Sequence, residues 1–286
     1  MTPVVAHTRA DLTAARDALS GRVAVVMTMG ALHDGHGHLM EVAREHGDSV
    51  IVTIFVNPKQ FGAGEDLERY PRTLVADLAI CAQRGVDLVF APSADEVYPA
   101  DEAVPVVLAG DLGERLEGAH RPGHFDGVVT VVSRLLDLTR PDVAVFGEKD
   151  AQQLAVIRRM VAEQGREVEI VGVPTVRERD GLAMSSRNRY LSDAEREIAV
   201  VIPRALELAD QHAAEGAAAA VAAAQAELEK VPELSVDYVA LVDTTTWAEP
   251  TARTRFGKIL VAARVGSTRL IDNRDVRLGT PSGLKD

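Results

Sequence analysis

Between Arg22 and about Val176 the sequence alternates between short apolar runs and longer amphipathic stretches. The runs have the length and composition of strands that are buried on both faces; they are VAVVM, SVIVTIFV, VDLVFAP, VAVFG and VEIVGVP. The stretches between them carry apolar residues at helical spacing: Leu74, Leu78 and Cys81; Val128, Val131, Val132 and Leu135; and Leu154, Ile157 and Val161. Strands that alternate with helices predict an α/β fold, in which a parallel sheet has helices on both faces.

The pattern changes after the segment GLAMSSRNRYLS. Residues 193–230 are rich in Ala and Glu and predict helices whose small side chains allow close packing. Short β-prone pieces follow, namely SVDYVALVD, KILVAARVG and TRLIDN. The sequence therefore predicts a first domain over residues 1–175 and a smaller α+β C-terminal domain over residues 176–286.

Charge and cysteine content exclude several functions. The 286 residues include 31 Lys and Arg against 43 Asp and Glu, a net charge of -12, and sequence-independent nucleic-acid binding requires a basic face instead. Cys81 is the only cysteine, which excludes an intramolecular disulfide and a cysteine-based zinc site. The N-terminal segment lacks a signal peptide's long apolar core, and no apolar run approaches the roughly 20 residues that cross a bilayer. We expect a soluble cytoplasmic protein with no membrane or nucleic-acid partner.

The segment TMGALHDGHGHLM directly follows the first predicted strand, where a parallel α/β sheet binds its ligands. His33 and His36 could serve phosphate, because a helix N-terminus attracts anions and imidazoles donate hydrogen bonds to developing charge. A second interpretation makes His33, His36 and His38 zinc ligands, and a third makes them ordinary helix-capping and surface residues. The metal interpretation is disfavoured because residues two apart on a helix point in different directions.

A second polar segment, GLAMSSRNRYLS, lies where the two predicted domains meet. Ser185, Ser186 and Arg187 offer two hydroxyls and a guanidinium, which suit polyphosphate oxygens. A solvated hinge would have the same composition, so this segment is informative mainly in combination with the glycine–histidine turn.

Together these segments resemble the HIGH and KMSKS signatures of nucleotidyl-transferring Rossmann enzymes, and more closely the pantothenate synthetase family. The matching pieces run through nearly the whole chain: TMGALHDGH, FVNPKQFGAGEDLERYPRT, EGAHRPGHFDGVVTVV, FGEKDAQQL, VPTVRERDGLAMSSRNRYLS and LVAARVGSTRLIDN. The resemblance implies a Rossmann-like ligase that uses ATP to activate pantoate as pantoyl adenylate with release of pyrophosphate, and then joins it to β-alanine with release of AMP. It also implies a homodimer that uses Mg2+.

The resemblance further implies roles for individual residues. His36, His33 and Lys149 would be catalytic, with His36 as the proton donor and Lys149 as a cation for the charge that builds up at phosphorus. Gln60, Gln153 and Arg121 would bind pantoate and β-alanine, and Asp77 would contact Mg2+. The ATP site would comprise Met29, Gly30, His33, His36, Gly147, Glu148, Lys149, Asp150, Val176, Met184, Ser185, Ser186 and Arg187.

Several of these residues have simpler interpretations. Lys149 could pair with a neighbouring acid, Gln60 and Gln153 could be ordinary polar residues, and Arg121 could be a surface salt-bridge partner. Asp77 could stabilise the positive end of a helix.

The sequence departs from the family pattern at two places. Met27 stands where a proline is usual, which leaves the end of the first strand less rigid. Gly37 and His38 stand where the family more often has larger or apolar residues, and Gly37 should weaken the helix by up to about 1 kcal/mol relative to Ala.

Three other functions compete with the ligase: a different adenylyltransferase with a phosphate-bearing acceptor, a non-catalytic nucleotide-binding module, and a histidine-based metallohydrolase. The amide-rich loops favour a small hydroxy acid over a phosphorylated acceptor. Because a reactive acyl adenylate must be kept from water, we also expect either NPKQFGAG or the second domain to close over the site.

Overall fold

The computed structural model describes residues 2–279. The chain divides into two compact units, Met1–Thr175 and Val176–Asp286. Helices within residues 2–279 fall short of the length and apolar character that a membrane span requires.

The first unit is built on a six-stranded sheet in the order β1-β4-β3-β2-β5-β6, and every neighbouring pair is parallel. The strands are β1 (Val4–Ala6), β2 (Val23–Thr28), β3 (Ser49–Ile54), β4 (Leu88–Phe90), β5 (Val143–Gly147) and β6 (Glu169–Val173). In β2 the residues Val23, Ala24, Val25 and Val26 are fully buried, because helices cover both faces of a parallel sheet. The predicted α/β fold is confirmed.

Seven helices belong to this unit within the described residues. They are α1 (Arg9–Ala18), α2 (Asp34–His46), α3 (Leu74–Gln83), α4 (Ala94–Val97), α5 (Glu117–His120), α6 (His124–Thr139) and α7 (Ala151–Glu163). The apolar stripes that predict helices fall in α3, α6 and α7. The helix after β2 begins at Asp34, and its N-cap is His33.

The edge strand β1 and the helix α1 come from the N-terminal segment, to which the hydrophobic pattern assigned no element. Three residues are too few to show a period, and β1 forms because its backbone pairs with β4 in parallel. The N-cap Thr8, whose side chain accepts a hydrogen bond from the Asp11 amide, fixes the start of α1.

Over its described residues, 176–279, the second unit combines three helices with an antiparallel sheet in the order β7-β8-β9. Its elements are α8 (Asp193–Ala199), α9 (Val201–His212), α10 (Ala217–Leu228), β7 (Leu234–Asp243), β8 (Phe256–Val265) and β9 (Thr268–Arg277). Ala205, Ala209, Ala220 and Ala224 are fully buried in the same core cluster, so the alanine-rich segment does pack closely. The predicted smaller α+β architecture is confirmed.

Candidate active site

The order of strands identifies one edge of the first unit as the place for a ligand. The chain runs outward from β2 to β3 and β4, then returns to place β5 on the opposite side of β2. The loops that follow β2 and β5 therefore diverge at the carboxyl ends of these two strands. This place, the switch point of the sheet, is where open α/β sheets bind ligands. The first of these loops, residues 29–33, leads into α2, which carries His36 in its first turn, and the second contains Glu148 to Asp150.

The turn after β2 has a left-handed backbone conformation and is stabilised by hydrogen bonds to Asp77. Gly30 and Ala31 have φ values of 80° and 51°, in the left-handed region that favours glycine. Asp77, which is 1 % exposed, accepts hydrogen bonds from the amides of Ala31 (3.1 Å) and Leu32 (2.9 Å). The Thr73 hydroxyl donates to the same carboxylate at 3.1 Å. Asp77 therefore fixes the backbone of the turn just before α2 begins at Asp34.

The rings of His33 and His36 contact each other at the start of α2, tilted by 42°. Their ring centroids lie 4.1 Å apart, and the His33 amide donates to Nδ1 of His36 at 3.3 Å. Burial, followed by the nearby His33 and Lys149, lowers the pKa of His36 from 6.5 to about 3. The ring is therefore neutral near pH 7, and because Nδ1 accepts a hydrogen bond, its proton is on Nε2, where it can be donated.

Lys149 lies in the other loop at the switch point. Glu148–Asp150 forms a short 3-10 turn directly after β5 and leads into α7. Lys149 is partly buried, and its charge contributes to the lowered pKa of His36. Gln153 is partly buried in the first turn of α7. The fold therefore brings the predicted histidines and the predicted lysine to the same edge of the sheet.

Gln60 lies at the end of a short 3-10 turn, Pro58–Gln60, and its side chain is held at both ends. Its Oε1 accepts a hydrogen bond from Nδ2 of Asn57 at 3.0 Å, and its Nε2 contacts the Met29 sulfur at 3.3 Å. Asn57 is itself 1 % exposed and accepts a hydrogen bond from the Tyr98 hydroxyl at 2.9 Å. Gln60 is thereby fixed beside the turn after β2.

Arg121 is engaged in a partly buried ion pair. Its Nε and Nη2 donate to the two carboxylate oxygens of Glu65, both at 2.7 Å, and its side chain is 15 % exposed. A role for Arg121 in binding an incoming carboxylate stays a prediction, and it would require the substrate to share or displace Glu65.

The predicted phosphate loop lies in the second unit. Val176 and Met184 are joined by a backbone hydrogen bond of 2.9 Å, and Ser185 then caps a 3-10 turn, Ser186–Tyr190, by accepting from the Arg187 amide. Ser185, Ser186 and Arg187 are all partly buried.

The structure gives no support to a histidine metal centre. His38 lies on the exposed flank of α2, with Nδ1 3.2 Å from Glu41. Among residues 2–279, no group of three or more His, Cys, Asp or Glu side chains could hold a metal ion. A magnesium contact at Asp77 stays a prediction, because both of its oxygens already accept hydrogen bonds from the turn or from Thr73.

Sequence reasoning missed two buried polar residues beside Gln60, namely Asn57 and His124. Asn57 precedes Pro58, and an Asn-Pro pair indicates a turn, so this signal was present in the sequence. His124 opens α6 and is 8 % exposed, and one of its hydrogen-bond partners, the Gln60 carbonyl, lies 64 residues away in the sequence. Only the tertiary structure reveals the role of His124.

A cavity of about 550 Å³ adjoins the turn on the side of β3 and β4. It opens at the carboxyl ends of the strands, and its lining includes Met29, Gly30, Phe55 and Arg72. Its volume is within the range of small-molecule sites.

The parallel sheet with helices on both faces, and the loops that carry His33, His36 and Lys149 at its carboxyl edge, define a Rossmann-like α/β protein. The family model for pantoate-beta-alanine ligase matches residues 3–275. The chain therefore belongs to the pantoate-beta-alanine ligase family, and it is a ligase.

Relatives and solved structures agree with this assignment. The chain is 56 % identical to pantothenate synthetase of Acidothermus cellulolyticus, over 96 % of this chain and 92 % of that protein. It is 57 % identical to pantothenate synthetase of Salinispora arenicola, over 97 % and 99 %. Pantothenate synthetase of Thermus thermophilus superposes with a TM-score of 0.90 at 48 % identity, over 95 % of this chain and 98 % of that one. A pantoate-beta-alanine ligase of Francisella tularensis, solved with a β,γ-ATP compound and β-alanine, superposes with a TM-score of 0.79 at 32 % identity, over 95 % and 97 %.

Proposed function

We propose that this ligase condenses pantoate with β-alanine at the expense of ATP, in two steps, through a pantoyl-adenylate intermediate. The observation that carries the proposal is the placement of a neutral His36 and the cationic Lys149 at the switch point of the sheet. Family membership supports the overall reaction, and the geometry of the site supports the separate roles proposed below for His36 and Lys149.

In the first step a carboxylate oxygen of pantoate attacks the α-phosphorus of ATP, and the bond to pyrophosphate breaks. Negative charge grows on the transferring and departing phosphate oxygens, where preorganised donors lower the barrier. Nε2–H of His36 would donate a hydrogen bond to this charge, and Lys149 would stabilise it electrostatically. The amides at the start of α2 would bind phosphate, because a helix N-terminus attracts anions.

In the second step the amine of β-alanine attacks the acyl carbon and AMP leaves. The side chain of Gln60, which Asn57 fixes in place, would position pantoate without adding charge, and Gln153 would assist from α7. Ser185, Ser186 and Arg187, in the domain over residues 176–286, would bind the phosphates of ATP.

We further propose that magnesium enters as the complex with ATP. The described residues contain no cluster of metal ligands, and this fits an ion that is held mainly by phosphate oxygens and water. A cytoplasmic location and a homodimer are proposed on family membership, and sedimentation would give twice the 30.6 kDa of one chain if the dimer forms.

Pyrophosphate release tests the proposed reaction. With ATP, magnesium and pantoate we expect one equivalent of pyrophosphate per site without β-alanine, and continuous turnover with it. The variant His36→Ala should lose both, whereas His38→Ala is the matched control on the same helix and should retain both. Folded protein that binds ATP but releases no pyrophosphate in response to pantoate would contradict the proposed substrate.

A further inference from the structure

The main-chain carbonyl of Gln60 is held by a side chain from a distant element. Nδ1 of His124 lies 2.8 Å from this carbonyl oxygen, and Nη2 of Arg121 approaches the same oxygen at 3.4 Å. On the other side of the ring, Nη1 of Arg121 lies 3.0 Å from Nε2 of His124. His124 is therefore placed between a cation and a carbonyl.

These neighbours permit only one protonation state of His124. The Arg121 guanidinium is always a donor, so Nε2 must accept and the proton of the neutral ring must be on Nδ1, which donates to the Gln60 carbonyl. Burial and then Arg121 lower the pKa of His124 to about 4, although the hydrogen bond to the Gln60 carbonyl, Glu117 and Glu65 act in the opposite direction. The ring is thus neutral at pH 7.

The same turn of α6 also holds the side chain of Gln60. The Gly127 carbonyl accepts a hydrogen bond from Nδ2 of Asn57 at 3.1 Å, and that same Nδ2 donates to Oε1 of Gln60. A Cβ atom at Gly127 would overlap the Lys59 carbonyl, so the helix backbone lies directly against the 3-10 turn. The first turn of α6 therefore fixes Gln60 at both its main chain and its side chain.

We propose that His124 is a positioning residue for pantoate binding. As a neutral imidazole between Arg121 and the main-chain carbonyl of Gln60, it orients Gln60 and thereby the side-chain amide of that residue. This proposal rests on the proposed function in so far as Gln60 binds pantoate. In this role His124 acts through Gln60. The ion pair with Glu65 in turn holds Arg121 beside His124.

A matched pair of amide substitutions tests the proposal. In His124→Asn the side-chain nitrogen occupies the position of Nδ1 and keeps the donor to Gln60, whereas His124→Gln places its amide near Nε2, facing Arg121. Both variants keep a polar group in the site, which limits the risk of misfolding.

His124→Gln removes the hydrogen bond from Nδ1 to the buried Gln60 carbonyl, which loses its stronger donor. We therefore expect KM for pantoate to rise roughly tenfold. KM for ATP should change by less than about twofold, and His124→Asn should keep KM for pantoate within about threefold of the unmodified protein. Equal effects of the two variants, or equal changes in both KM values, would overturn the positioning role and leave His124 a purely structural residue.

A second readout needs no substrate. The side-chain amide resonances of Gln60 should shift in His124→Gln and remain close to their original positions in His124→Asn. If these resonances are the same in all three proteins, the proposal is wrong. If they behave as expected but the unmodified protein releases no pyrophosphate in response to pantoate, the positioning geometry stands and the proposed function fails.

Discussion

Replacing Asp77 with Ala should destabilise the turn that carries the histidines. Asp77 is 1 % exposed and accepts from the amides of Ala31 and Leu32, which are 0 % and 6 % exposed. A buried donor that loses its partner costs about 1–3 kcal/mol. With two such amides, and with water entering part of the space that the carboxylate leaves, the free energy of unfolding should fall by about 3 kcal/mol.

Urea unfolding in a chelating buffer measures this loss without any metal. Asp95 is the matched control, because it is an exposed aspartate in the first turn of α4 just as Asp77 lies in the first turn of α3. Asp95→Ala should change the free energy of unfolding by less than about 0.5 kcal/mol. Amide hydrogen exchange at Ala31 and Leu32 should accelerate in Asp77→Ala alone.

The same experiment separates the turn from a magnesium role. If Asp77 holds the turn, the loss of stability is the same with the chelator and with excess magnesium. A variant that is as stable as the unmodified protein in the chelator, and less stable only when magnesium is present, would refute the reasoning and make Asp77 a metal ligand.

Three further predictions concern the site and its support. Pyrophosphate release should fall about 100- to 1,000-fold in His36→Ala, as expected when one transition-state donor is lost, and stay within about twofold in His38→Ala; comparable losses in both would show that the helix, not Nε2 of His36, is responsible. Gly127→Ala should lower the unfolding free energy by about 1–3 kcal/mol through overpacking, whereas Gly62→Ala, whose Cβ would meet Glu65 only at 3.8 Å, should not. Acid should destabilise the protein below pH 6.5. His36 and His124 have pKa values of about 3 and about 4 in the folded protein, so between pH 6.5 and those values the two histidines bind protons in the unfolded chain but not in the folded one. Urea midpoints at pH 7.5 and 5.0 should therefore differ less in His124→Asn, and a fall of the same size in both proteins would contradict the assignment of His124.

Gly37 illustrates a departure from the family pattern that the structure explains in part. A Cβ atom there would lie 2.9 Å from Nε of Arg84, so the guanidinium packs over the space that a side chain would occupy. Arg84 also pairs with Glu41 and lies 3.6 Å from Asp34. The glycine therefore leaves room for a neighbouring side chain that a Cβ atom would displace.

The sequence by itself determined the layered α/β architecture, the composition of the second unit and the family. Period and composition are local properties, and strands buried on both faces are recognisable from runs such as VAVVM. The edge on which His33, His36 and Lys149 lie also followed from the sequence, because side chains after parallel strands meet at one end of the sheet. The three-residue strand β1 was missed because it carries no periodic signal.

Only the tertiary structure decided how these residues are supported. Asp77 reaches the amides of a turn more than 40 residues away, and His124 reaches the Gln60 carbonyl across 64 residues. The lowered pKa of His36 likewise depends on burial, on His33 and on Lys149 from another loop. Hydrogen-bond partners and desolvation depend on distances in space, and sequence spacing carries no information about those distances until the chain has folded.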